Sequence, residues 1–176
     1  MRYRVRNLIM TIFASFLWGC AGVKSPLAAV PYVDLERFMG DWYVIASIPT
    51  FVEKGAHNAV EKYALNADGS IQTTFIFRKN TFDGERKEHN PTGYVLNTET
   101  NAEWGMQFIW PIKADYRIVY LADDYSKTII GRNDRDYVWI MARTPVIQDE
   151  EYAALRQMIG DMGYDLSKLL KVPQQW

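Results

Sequence analysis

His57 and Glu61 are the residues whose types suit proton transfer, an imidazole and a carboxylate four positions apart in the run 57–65. On a strand that spacing puts both on one face about 13 Å apart, too far for a direct hydrogen bond, so they form no acid–base dyad. His89 stands in a polar stretch and reads as solvated. Two histidines without cysteine neighbours make a poor metal site, and no Gly-x-Ser-x-Gly elbow occurs. Asp123, Asp124, Asp134 and Asp136 read as turn residues. The chemistry left is that of binding: many aromatic rings, several tyrosine hydroxyls, and Glu61 among them.

Cys20 is the one cysteine of the chain, so no intramolecular disulfide can form. Its position carries more information than its count. Arg2, Arg4 and Arg6 make a positive n-region, Leu8 to Trp18 an apolar core of signal-peptide length, and Leu17-Trp18-Gly19-Cys20 resembles the lipobox of bacterial lipoproteins. Residues 1–19 therefore read as a lipoprotein signal peptide, with Cys20 the acylated residue of the mature chain. Two or three acyl chains hold a protein on a bilayer durably, each buried methylene contributing about 0.8 kcal/mol. Residues 20–33, small and broken by Pro26 and Pro31, read as the lipidated N-terminus and its tether.

The remaining 34–176 fits one domain. A chain of 176 residues that is 48% hydrophobic and 14% aromatic can bury a sizeable core, and a formal charge of −1 without a basic stripe gives no reason to expect nucleic acid. Asp34 caps a helical turn over 35–39, stopped by Gly40. Eight strand-like runs come next, at about 42–50, 57–65, 70–79, 92–98, 102–110, 115–122, 126–131 and 136–143. Their connections are too short for parallel crossovers, so the expected architecture is all-β, an eight-stranded antiparallel up-and-down β-barrel. One long helix begins at Asp149-Glu150-Glu151, carries Tyr152, Leu155, Ile159 and Met162 on one face, and ends at Gly163; its single apolar stripe places it outside the sheet. The tail around Leu169 to Val172 suits a short edge strand.

Alternation assigns an interior face to each strand. It groups Trp42, Val44, Ala46 and Ile48; Ala59, Glu61, Tyr63 and Leu65; Ile71, Thr73, Phe75 and Phe77; Trp104, Met106, Phe108 and Trp110; Tyr116, Ile118 and Tyr120; and Tyr137, Trp139, Met141 and Arg143. Hydroxyls and Glu61 are costly to bury dry, so a cavity fits this interior better than a solid core. Apolar residues on the outer faces leave room for the helix and for a homodimer.

Gly40-x-Trp42, the turn with Asp124-Tyr125, and Arg143 after the last strand resemble the three signature regions of the lipocalins. The runs Gly40 to Ala46 and Asp134 to Pro145 are similar nearly position by position to bacterial outer-membrane lipocalins. The resemblance implies a barrel closed at the Trp42 end and open at the other. It also implies a fatty acid or lysophospholipid ligand, and attachment through acylated Cys20 to the periplasmic face of the outer membrane. The residues expected on the ligand are Glu61, Phe75, Phe77, Trp104, Met106, Phe108, Tyr116, Tyr120, Trp139 and Met141, with Gly40, Trp42, Asp124, Tyr125 and Arg143 as the structural signature. A stacked Arg143–Trp42 pair is expected to close the floor. The other class of function, a hydrolase or isomerase acting on such lipids, finds no nucleophile–base constellation to carry it, and no cofactor is implied.

Overall fold

The computed structural model describes residues 25–176, so the expected signal peptide and Cys20 lie outside the described residues. Asp34 caps a one-turn helix, α1 (Leu35–Phe38), by accepting a hydrogen bond from the Arg37 amide. Ten strands come after it: β1 (Gly40–Ile48), β2 (Ala56–Leu65), β3 (Ile71–Lys79), β4 (Arg86–His89), β5 (Thr92–Val95), β6 (Glu103–Ile109), β7 (Ile112–Leu121), β8 (Lys127–Gly131), β9 (Val138–Ala142) and β10 (Leu170–Lys171). The long helix α2 (Asp149–Asp161) lies between β9 and β10.

Every pairing is antiparallel, and β1 pairs with both β2 and β9, which closes an eight-stranded barrel. Two strands are additional. The polar stretch 80–91, expected to be a plain connection, contains β4, which pairs with the outer half of β3 while β5 pairs with its first residues. Pro91, which has no amide hydrogen to give a ladder, separates the two. At the other seam β1 leaves β2 after Tyr43, and the C-terminal tail fills the gap. There β10 pairs with Ala46 and Ser47, and the Gln174 side-chain amide donates to the carbonyls of Val44 and Ala59.

Bulges decide which residues face inward, and strict alternation does not anticipate them. Register shifts occur between Val44 and Ala46 in β1, and between Ile118 and Tyr120 in β7. Each inserts an unpaired residue that reverses the facing of the residues after it. Trp42 and Val44 lie inside as expected, whereas Ala46, Ile48 and Tyr120, expected inside, pack on the outer face, and Leu65 and Trp110, also expected inside, are exposed where β2 and β6 run out of the barrel. That face is apolar because α2 covers it: Leu155 and Ile159 are buried against Ile45, Ile129, Val138 and Ile140. At roughly 1.5–3 kcal/mol for each fully buried aliphatic side chain, this second cluster is a substantial part of the stability. The alternation in β3 and β9 holds without interruption, with Ile71, Thr73, Phe75, Phe77, Trp139 and Met141 facing inward.

Candidate ligand-binding site

The floor of the barrel is built by residues far apart in sequence. Arg143 comes directly after β9, and closure of the sheet brings its guanidinium 3.8 Å from the centroid of the Trp42 ring. Its nitrogens also donate to the carbonyls of Arg37 and Phe38, where α1 ends, and of Asp41 at the start of β1. Gly40 permits this approach: its φ is +96°, and a β-carbon there would stand 3.4 Å from an Arg143 nitrogen. The Trp42 indole N–H donates to the Phe38 carbonyl, and the Phe38 ring lies 5.0 Å from that of Trp42. The remaining signature residues join the same end. The Tyr125 hydroxyl accepts from the Asp34 amide, Arg37 lies over the Tyr125 ring, and Asp124 caps its own turn by accepting from the Ser126 amide.

Above this floor a cavity of about 380 Å³ runs to the open end. Phe75, Met106, Tyr116 and Trp139 form its apolar wall, Phe51 and Phe108 stand at its mouth, and Glu61 lies near its base. Phe108 remains 63% exposed because a bulge between Met106 and Ile109 turns the end of β6 outward. Phe77, Trp104 and Met141 face the interior but lie beneath the cavity surface. Trp104 stacks on Tyr116 with 5.2 Å between centroids, Phe77 packs against Phe75 and His89, and Met141 sits beside Val44. Of the ten residues expected on the ligand, Tyr120 alone is placed on the outer face.

Glu61 heads a hydrogen-bonded chain. The Tyr63 hydroxyl donates to its carboxyl group, and the hydroxyls of Tyr63 and Tyr116 share a further bond of 2.6 Å. Burial pushes the Glu61 carboxyl up to about 7, opposed by the Tyr63 bond and reinforced by the charge of Glu53. Desolvation also raises both tyrosines well above the ordinary phenol range. These groups are therefore neutral hydrogen-bonding partners over most of the acidic and neutral range, consistent with their burial.

Several polar residues at this site were not expected, among them Glu53, His89 and Arg132. Glu53, in the loop between β1 and β2, accepts from the Trp139 indole N–H and the Thr50 amide, and burial raises its carboxyl despite both bonds. His89, expected in a solvated loop, is half-buried at the end of β4 and stacked over Phe75 and Phe77. Arg132 reaches the wall with its Nε unpartnered, while another of its nitrogens pairs with Asp136 at 3.2 Å. A lone acid between Val52 and Lys54 in a connecting loop gives no periodic signal, and His89 becomes visible only once β4 is known. Among the described residues no group of three His, Cys, Asp or Glu side chains is placed to hold a metal ion.

Comparison with known proteins bears on this geometry. The model of the lipocalin-like domain matches residues 33–174. Temperature-induced lipocalin-1 of Arabidopsis thaliana is 32% identical over 160 residues, covering 86% of this chain and 84% of the relative. Outer membrane lipoprotein Blc of Escherichia coli K12 is 28% identical over 176 residues, covering 97% and 98%. Among solved structures, insecticyanin from the tobacco hornworm Manduca sexta superposes with a TM-score of 0.64 at 16% identity, over 87% of this chain and 85% of that one, a likeness of fold alone.

Proposed function

The chain belongs to the lipocalin-like family, and on that basis we propose that it is a lipid-anchored binding protein whose barrel holds one single-chain lipid, a fatty acid or a lysophospholipid. The observation that carries this reading is the cavity itself, walled mainly by apolar surface, open at one end, and closed below by the Trp42–Arg143 floor. An acyl chain lies along Phe75, Met106 and Trp139, with its polar end at the mouth near Phe51 and Phe108. Glu61 and Tyr116 meet whatever reaches the base. A neutral Glu61 tolerates a hydrocarbon terminus there, whereas its ionised form would bind a cationic or zwitterionic head group and repel a free carboxylate.

Acylation at Cys20 would attach the barrel to a bilayer, and the relatives named outer membrane lipoprotein Blc support the outer membrane as its place. The protein then stands on the periplasmic face if the lipid anchor enters that membrane from the inside. Binding is favoured over turnover because the groups at the cavity base are a carboxyl and two phenols held in one chain by hydrogen bonds, with no nucleophile activated by a base. Titration of the delipidated protein with lysophospholipid, monitored by tryptophan fluorescence, tests the reading. A saturable change at one lipid per chain, weakened at least about tenfold in Trp139→Ala, is expected. No saturable change would refute it.

A further inference from the structure

Exposed acids stand at both ends of the barrel, Glu36, Asp68, Glu99, Asp123 and Asp124 at the closed end and Asp83, Glu85, Asp134 and Asp136 at the open end, and what sets the open end apart is a cluster of apolar tips. At the open end the β6–β7 hairpin projects Ile109, Trp110 and Ile112 into solvent, with Trp110 82% exposed, and Phe51 is equally bare on the β1–β2 loop across the mouth. Single exposed apolar residues are ordinary, but this group is continuous with the cavity, since Phe51, Phe108 and Ile109 stand on the rim and also line its mouth. Two exposed lysines, Lys54 and Lys113, flank these tips in sequence. Aromatic and branched aliphatic tips bordered by lysine match the boundary between head groups and acyl chains, where an indole places its ring in hydrocarbon and its N–H in the polar layer.

The route of the N-terminal segment gives the orientation. Read backwards from Asp34 at the closed end, the chain climbs the barrel wall. Val33 donates to the Thr100 carbonyl, Val30 to that of Ile118, and Leu27 to the Asn133 side chain in the β8–β9 loop at the open end. The Leu27 carbonyl also accepts from Arg117, and Leu27 is buried against the outer wall. Leu27 thus stands on the outer wall toward the open rim. Cys20 is seven positions before Leu27, a span of at most about 25 Å when fully extended. The hairpin tip at Ile112 lies five residues beyond Arg117, or about 17 Å along β7. A lipid on Cys20 can therefore enter a bilayer that the hairpin tip also touches.

We propose that the open rim, at Phe51 and the Ile109–Trp110–Ile112 hairpin, docks on the lipid bilayer, so that the cavity mouth faces the membrane surface. The proposal rests on the reading of Cys20 as the acylated residue. Docked in this way, a single-chain lipid passes between bilayer and cavity without crossing open water.

The test uses the full mature chain purified from membranes and reconstituted into phosphatidylethanolamine–phosphatidylglycerol vesicles whose acyl chains carry bromine near the head group. Bromine quenches an indole only at close range. Wild type is expected to lose a fraction of its tryptophan fluorescence that Trp110→Phe no longer loses, and the double variant Trp110→Asp, Ile112→Asp is expected to show no quenching while unfolding at the wild-type temperature. Equal quenching in wild type and Trp110→Phe, or none in either, overturns the docking. A rim that instead pairs two copies gives a dimer by sedimentation that the double variant dissociates, without bromine quenching, and likewise overturns it. Intact mass of the same samples reads acylation of Cys20 separately, so a failed anchor and a failed docking surface are told apart.

Discussion

The Glu61 carboxyl and the Tyr63 hydroxyl, two residues apart on one face of β2, share a hydrogen bond at the base of the cavity, with Tyr116 joined to the same hydroxyl from across the barrel. Trp42 lies opposite Glu61 in the β1–β2 register, so this polar chain stands directly above the floor. The arrangement puts a titrating group at the base of a mainly apolar cavity.

Glu61 makes stability depend on pH. Its carboxyl is raised from 4.5 to about 7 in the folded chain by burial. The unfolded chain ionises first, so the stabilisation is complete below about pH 4.5 and is lost as pH rises through about 7. The difference corresponds to on the order of 3 kcal/mol. Glu61→Gln, which can still accept from Tyr63, is expected to stabilise the protein by that order at pH 8 and to leave it nearly unchanged at pH 4. Denaturant melts at the two pH values measure it, and an equal effect at both would contradict the assignment.

The floor is a stability element rather than a recognition element. Trp42→Ala removes a fully buried indole, its bond to the Phe38 carbonyl and the stack under Arg143. A loss of about 3–5 kcal/mol is expected. Arg143→Lys keeps the charge but not the planar fork that reaches three carbonyls, and should cost about 1–3 kcal/mol. Lipid affinity of the folded variants should stay within about threefold of wild type, since neither side chain lines the cavity. Chemical denaturation beside a lipid titration separates the two effects, and wild-type stability in Trp42→Ala would show that the pair does not close the barrel.

The helix should be separable from the site in the same way. Ile159 is fully buried in the cluster between α2 and the outer barrel wall. Ile159→Ala is expected to cost about 2–5 kcal/mol and to leave lipid affinity unchanged. Weakened binding at a temperature where the variant is fully folded would show that α2 shapes the cavity.

The barrel was legible in the sequence because its strands are rich in β-branched and aromatic residues and its turns are marked by glycine, proline and asparagine. Arg143 beneath Trp42 was legible because the signature regions are short and specific. Facing was legible only where a strand runs unbroken. In β9 the alternation of Trp139 and Met141 against Val138 and Ile140 holds, whereas one extra residue in β7 moved Tyr120 to the outer face. A bulge is a backbone event with no fixed residue type, so alternation cannot report it. Inward facing also proved different from lining: Trp104 faces inward, yet its ring is fully covered by Tyr116, Tyr63 and Phe38. Glu53 went unseen because the loop that carries it owes its place at the mouth to a tertiary bond with Trp139.

Whether the cavity holds a single-chain lipid is decided by native mass spectrometry of unextracted protein beside an Ala114→Trp variant. Ala114 lies on the cavity wall across from Met106, and an indole there fills the space that an acyl chain would take. Wild type is expected to carry one lipid with a single acyl chain per polypeptide, and the variant, with its melting transition retained, is expected to carry none. A wild type without bound lipid that also fails to take up added lysophospholipid, or a variant that retains the lipid in full, would refute lipid binding in this cavity.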